Sequence, residues 1–414
     1  MKLTIDAERL TLELNELAKF SEVPAPAVTR IVFSDEDMRA RRYVNGLCLE
    51  TGLPVREDAV GNTFARWNGS APNEPAIGTG SHIDAIPNAG MFDGTVGVLG
   101  GLEAIRCLQR SGFQPRRSIE LLLFTSEEPT RFGIGCLGSR LLSGALDAKA
   151  GESIRDREGR SLDDLRQAAG FTGTIESVRL QPGYYAGFVE LHIEQGSLLE
   201  KRGVPLGVVT AIAAPASLRL QIDGEGGHAG AVLMPNRHDA FLAAAEIALA
   251  VERSVLATGS VDTVGTSGVC EVFPGAVNSI PSGVRLELDI RDIDAARRDG
   301  VIGKVRAAAS EVAEKRGVRV RIEVVNADQP ATCDASIVEE LARSCDAQSL
   351  KFDPMISRAY HDSLFVSRFA PTAMLFIPCR NGVSHRPDEY SSPEAIAAGV
   401  LVLAQTLANL SLRA

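Results

Sequence analysis

Histidine and carboxylate side chains recur in this chain where a divalent cation could use them. His82 sits in Gly80-Ser81-His82-Ile83-Asp84, directly behind a stretch that reads as a strand. A metal-binding imidazole usually donates its other N–H to a carboxylate, which fixes tautomer and ring orientation. Asp84, two residues on, is placed to be that partner. Asp93, in Phe92-Asp93-Gly94, precedes a helical pattern and could either bind metal or only cap the helix. Glu127 and Glu128 are adjacent behind another apolar run. Two neighbouring carboxylates are uncomfortable unless solvent or a cation is near. They are therefore either a solvated acidic turn or a working pair, one binding metal and the other taking a proton from the water that the metal activates. His192 lies in Val189-Glu190-Leu191-His192-Ile193-Glu194-Gln195-Gly196, and His385 in Gly382-Val383-Ser384-His385-Arg386-Pro387-Asp388-Glu389. A lone histidine is more often structural. Three of them with carboxylates, each beyond a strand of one sheet, match the mixed nitrogen and oxygen ligation of Zn²⁺, Mn²⁺, Co²⁺ or Ni²⁺.

The elements that must hold these groups are legible as patterns. Residues 76–83 (AIGTGSHI) read as a strand ending in a loop, and 95–111 as a helix with Val96, Leu99, Leu102 and Ile105 on one face. The apolar run 118–125 (SIELLLFT) suits a central parallel strand covered on both faces, as does 372–378 (TAMLFIP). Alternation of strand and helix predicts a layered α/β domain, whose ligands sit at loops beyond strand ends. The middle differs. Strand 217–223, helix 236–257, strands 262–272 and 284–291, helix 294–316 and strand 317–325 spell β-α-β-β-α-β, the ferredoxin-like order. This predicts an inserted domain over 213–326 between two parts of a catalytic domain, 1–212 and 327–414, with a last helix at 393–410.

Bulk properties narrow the function. At 414 residues, two domains are the natural expectation. A net charge of −10 argues against a nucleic-acid surface, though not against a small anionic substrate. The start MKLTIDAERL has no secretory pattern, and no uninterrupted apolar run is long enough for a membrane span. Seven scattered cysteines without CxxC spacing read as reduced thiols, so a cytoplasmic location is expected. No motif supports a cysteine nucleophile, and no GxSxG elbow supports a serine hydrolase. A metal-free binding protein on the same scaffold is the contrasting class, which metal analysis would separate.

Several stretches resemble the amidase branch of the dinuclear metallopeptidase superfamily: GSHIDAIPNAGMFDGTVGVLGGLEAI, FTSEEPTRFG, GFVELHIEQG, GGHAGAVLMPNRHDA, PGAVNSIP, LDIRDID and SHRPDEY. That branch holds N-carbamoyl-L-amino acid hydrolases, β-ureidopropionases, allantoate amidohydrolases and ureidoglycolate amidohydrolases. The stretches TAIAAPASLRL and MISRAYHDSLF are most similar to the last of these. The resemblance implies an α/β catalytic domain with a central mixed sheet plus the inserted ferredoxin-like lid, a homodimer formed through that lid, and a small ureido carboxylate as substrate. It implies two metal ions, manganese first, with His82 and His192 on one, Glu128 and His385 on the other, and Asp93 bridging. It implies Glu127 as general base with Asp84 behind His82, and Gln195, His228, Asn278, Arg291, Tyr360 and His361 as substrate contacts, with His228 also steadying the oxyanion. Read alone, Arg291 could grip a carboxylate or pair with Asp289 or Asp292. The glycines around His228 allow close approach to a ligand, a plain turn or a weak phosphate cradle.

Overall fold

The computed structural model describes residues 3–413. The chain divides into two compact units. One holds the chain up to Thr210, Cys333–Met355 and everything from His361; the other holds Ala211–Thr332 with Ile356–Tyr360.

The first unit is built on a mixed sheet. Its strands run in the order Leu206–Ile212, Thr372–Ile377, Tyr185–Ile193, Ala76–His82, Ile119–Phe124, Thr63–Trp67 and Val55–Glu57. The middle four, from Thr372–Ile377 to Ile119–Phe124, are mutually parallel; the flanking ones pair antiparallel. Every residue of Ala76–His82, Ile119–Phe124 and Thr372–Ile377 is buried. That is why Ile119–Phe124 and Thr372–Ile377 are near-continuous apolar runs rather than alternating ones, whereas Ala76–His82 is made mostly of small residues. Because the four are parallel, their C-terminal ends share one edge, and the chain leaves the sheet there four times.

The helix Thr95–Arg110 lies close on this sheet. A Cβ at Gly97 would stand 2.4 Å from the Leu191 carbonyl oxygen, so only glycine lets the backbones approach. The helical periodicity over 95–111 predicts one buried stripe, but residues 95–108 are buried all round. The helix is covered on its far side by Ala7–Ala18 and Pro393–Leu412. A stripe is expected only of a helix with one wet face. Pro393–Leu412 is long and apolar enough to cross a membrane by composition, yet most of it is buried in this core.

The second unit is a four-stranded antiparallel sheet in the order Val264–Phe273, Gly283–Asp292, Ala214–Asp223, Arg319–Ala327. Here the pattern does alternate. Leu218, Leu220, Ile222, Val284, Leu286, Leu288 and Ile290 point at Ile247, Val251, Val301 and Val305 of helices Ala240–Leu256 and Ala295–Arg316, and intervening residues face outward. The first of these helices begins at Ala240, not at 236. Asp239 caps it by accepting the Phe241 and Leu242 N–H groups (2.9 and 3.2 Å), and a 3₁₀ turn, Met234–Asn236, occupies the stretch before.

Candidate metal centre and active site

The four exits from the parallel sheet carry the candidate ligands. His82 ends Ala76–His82, His192 lies at the end of Tyr185–Ile193, Glu127 and Glu128 follow Ile119–Phe124, and His385 follows Thr372–Ile377. Asp93, just ahead of helix Thr95–Arg110, is the hub. Its Oδ1 lies 3.5 Å from His82 Nε2 and 3.2 Å from His192 Nε2. Its Oδ2 lies 3.5 Å from His385 Nε2, which is 3.3 Å from Glu128 Oε1. The donor atoms of His82, Asp93 and His192 fall within 4.8 Å of one another, and so do those of Asp93, Glu128 and His385. A third group, Glu190, His192 and His361, meets the same limit, but the Glu190 carboxylate already accepts from Ser81 and Ser363 hydroxyls.

Both bland readings of the acidic residues fail. Gly94, not Asp93, is the helix N-cap, and no side chain caps that end. Asp93 Oδ2 accepts instead from Gln195 Nε2 (2.6 Å) and Ser384 Oγ (2.7 Å). Glu127 and Glu128 are only 8% and 4% exposed, so they are no solvated turn.

Backbone groups orient the imidazoles. His192 Nδ1 faces the Ile193 carbonyl at 2.9 Å, and His82 Nδ1 faces the Asp84 carbonyl at 3.1 Å. A carbonyl only accepts, so Nδ1 carries a proton and Nε2 is the nitrogen turned to the centre, where its lone pair can bind a cation once any second proton has left. For His192 the Gly94 N–H, 3.1 Å away, fits that assignment. The Asp84 carboxylate does less for His82 than its spacing predicts, with Oδ1 3.6 Å from Nδ1. It accepts the N–H groups of Glu127 (3.2 Å) and Glu128 (3.0 Å), tying the His82 loop to the acidic turn.

Charge and burial pull the titrating groups apart. Burial pushes Glu127 well above the ordinary glutamate range, against the pull of His82. Burial likewise lifts Asp84 to about 6. Asp93 is held well below the usual carboxylate range, since His192, His385 and His82 outweigh its burial. Burial alone would lower His82 and His192, but the carboxylates hold both above an ordinary histidine. His385 is raised to about 11 by its contacts with Asp93 and Glu128. One carboxyl of raised pKa beside a strongly ionised one is the pattern that separates a base from a ligand.

The residues fit a divalent cation. Imidazole nitrogens and carboxylate oxygens converge, all buried but His385, the donor set borderline divalent metals take. Gly94, at φ 67°, leaves room that a Cβ would fill 2.5 Å from His82 Nε2. Gln195, at φ 55°, turns its amide inward, and its Oε1 is buried without a hydrogen-bond partner.

The other expected contacts divide between the two units. Gln195 and His361 belong to the first, with the buried His361 ring 4.5 Å from that of His192. His228, Asn278, Arg291 and Tyr360 belong to the second. There the Gly230 N–H donates to His228 Nδ1 (3.1 Å), leaving Nε2 to carry the proton outward, and the Ala229 N–H binds the Asn278 carbonyl (2.9 Å). Arg291 pairs with Asp289 (2.7 Å) and lies over the Tyr360 ring. Residues without an assigned role also enter the site. Glu389 accepts from the Phe92 and Asp93 N–H groups (2.8 and 3.0 Å) and from Ser384, and burial beside Asp93 lifts it to about 7. Its place in the HRPDEY stretch after His385 was the only signal. Ser384 was signalled only by adjacency to His385, and Cys136 by nothing. A cavity of about 800 Å³ lies between helix Ala7–Ala18 and residues 387–396; Phe92 and Glu389, which adjoin Asp93, are among its lining.

A strand-edge carboxylate–imidazole centre on an α/β sheet defines the class, and the chain belongs to peptidase family M20/M25/M40, which it matches over residues 78–409. It is 54% identical to the ureidoglycolate hydrolase of Arabidopsis thaliana, covering 99% of this chain and 88% of that one. It is 38% identical to the N-carbamoyl-L-amino acid amidohydrolase of Geobacillus stearothermophilus, covering 98% and 99%. Crystal structures of AtUAH in complex with glyoxylate and with (S)-hydroxyglycine each match with a TM-score of 0.92 at 54% identity, over 99% of both chains.

Proposed function

We propose that this chain is a metal-dependent amidohydrolase that cleaves the ureido C–N bond of ureidoglycolate. The observation that carries the chemistry is Asp93, whose two oxygens face two different donor groups. What points to this substrate is the 54% identity to a ureidoglycolate hydrolase and the glyoxylate and (S)-hydroxyglycine bound to AtUAH.

On this reading His82, His192 and Asp93 hold one divalent ion, and Glu128, His385 and Asp93 the other, with Mn²⁺ the first candidate and Zn²⁺, Co²⁺ and Ni²⁺ behind it. Bound there, such ions supply Lewis acidity, which can bring the pKa of water from 15.7 toward about 7. Glu127 takes the proton of the attacking water and returns it to the leaving nitrogen, a role its raised pKa suits. Gln195 Oε1, buried and unpartnered, accepts from the terminal ureido NH₂. His228 Nε2–H steadies the oxyanion, a contact worth roughly 3–4 kcal/mol. Arg291 holds the carboxylate, with Asn278, Tyr360 and His361 beside it. Water adds to the ureido carbonyl, and the bond to the nitrogen on the hydroxyl-bearing carbon breaks. The carbamate yields carbon dioxide and ammonia; the hydroxyglycine collapses to glyoxylate and a second ammonia.

The second unit is read as a ferredoxin-like lid through which a homodimer forms, offering His228 and Asn278 to the neighbouring subunit's site. In its support, the edge strand Val264–Phe273 is largely exposed, as are Phe241, Leu242, Leu249 and Leu256 of the adjoining helix. Seven unpaired cysteines support a cytoplasmic location.

Two measurements test the reading. Glu127→Gln lowers kcat by about 10²–10⁴-fold with metal content unchanged; near-normal turnover refutes the base. With Mn²⁺ loaded, ureidoglycolate is turned over faster than allantoate or carbamoyl-L-amino acids; the reverse order makes the chain a carbamoylase with the same centre.

A further inference from the structure

We propose that the Cys136 thiol is a positioning residue that holds Glu127 by one oxygen and leaves the other for the attacking water; this rests on Glu127 being the base.

Cys136 stands at φ 56° at the start of helix Leu137–Ser143. Its N–H donates to the Glu127 carbonyl at 2.7 Å, and the next two N–H groups donate to Ser126 (2.9 Å) and Thr125 (2.8 Å). Three rungs thus lock this segment to the end of the strand that delivers the acidic turn. The turn has no room to relax, since a Cβ at Gly138 would meet Asn62 Oδ1 at 2.2 Å. Ser139 Oγ, 3.2 Å from the Cys136 carbonyl and 2.5 Å from Asp362 Oδ1, clamps it from the other side. The fixed backbone aims Cys136 Sγ at Glu127 Oε1, 3.4 Å away, with the side chain wholly buried. Glu127 Oε2 is the oxygen that faces the centre, 3.7 Å from His82 Nε2.

Burial and the Glu127 charge push the thiol well above an ordinary cysteine, so it stays S–H at neutral pH and donates. A thiol is a weak donor. It occupies Glu127 Oε1 and so fixes the rotamer of the carboxylate, leaving Oε2 turned to the centre. Cys136 is then no nucleophile and no metal ligand.

The experiment is a double-mutant cycle on the metal-loaded enzyme, with metal content and melting temperature followed throughout. Cys136→Ala is expected to lower kcat about ten-fold or more, with KM and metal content unchanged, and Cys136→Ser to recover part of the loss. Placed on Glu127→Gln, Cys136→Ala adds no further loss, because the partner it serves is gone. Independently of turnover, the S–H stretch isolated by difference against Cys136→Ala shifts when Glu127 is replaced by Gln. An unchanged kcat in Cys136→Ala, an equal loss on both backgrounds, or a stretch indifferent to Glu127 overturns the proposal. If Glu127→Gln itself keeps normal turnover, the base reading fails first, and the stretch alone still decides whether the thiol touches Glu127.

Discussion

The metal-ligand candidates and the polar candidates of the inserted unit are held in different ways. At the strand edge, His82, Asp93, Glu127, Glu128 and His192 are buried and held through main chain, His192 by the Ile193 carbonyl and Gly94 N–H, and the acidic turn by its own N–H groups on Asp84; His385 alone is exposed. In the inserted unit, His228 and Asn278 sit on exposed backbone and are held mainly by a local turn and one short ladder to Ser279–Ile280. The difference teaches that the charge chemistry is preorganised inside one rigid sheet, whereas the second unit carries its polar groups outward, able to meet something that arrives. Preorganised dipoles cost no reorganisation when the reaction begins.

The contrast can be broken most severely at its hub. Asp93→Ala should lower kcat/KM by about 10⁴-fold or more, since the acid–base and electrostatic contributions are lost together, and metal analysis should show depleted protein. The same measurement on Asn278→Ala should find full metal content. A smaller effect is expected one shell out. Asp84→Asn removes charge from the group that receives two backbone N–H bonds, and metal affinity or activity should fall about 10–100-fold. An unchanged affinity would mean the acidic turn holds itself in place.

Smaller again is a proton linkage. In the metal-free protein His385 titrates near 11, so it is charged at neutral pH. Its pairing with Asp93 and Glu128 stabilises the metal-free fold fully below the unfolded imidazole value of about 6.5 and is lost as pH rises through about 11. On the proposed ligation, a cation taken up by His385 displaces that proton. Apparent Mn²⁺ affinity should therefore rise about ten-fold per pH unit between pH 7 and 9 for each proton released, measurable by calorimetry in buffers of different ionisation enthalpy. A flat profile would falsify the linkage. The smallest effect belongs to the inserted unit's surface: Arg285→Met breaks an exposed pair with Glu271 and should leave the melting temperature within replicate scatter.

Much of the centre was legible because it is written locally. Parallel strands buried on both faces tend to read as near-continuous apolar runs, and a candidate site residue appears as a histidine or acid at or beyond the strand end, as at His82, Glu127, Glu128 and His385. The sequence by itself determined these candidate residues, the α/β layering and the alternating strands of the inserted unit, since side-chain period and strand-end position are properties of a few consecutive residues. Only the tertiary structure decided that Asp84 serves the acidic turn more than His82, that Glu389 reaches back 296 residues to the Asp93 N–H, that Cys136 meets Glu127, and that helix Thr95–Arg110 is buried on all sides. These are hydrogen bonds and contacts between segments whose proximity depends on the whole packing. No local spacing encodes which distant backbone group will stand opposite a buried carboxylate.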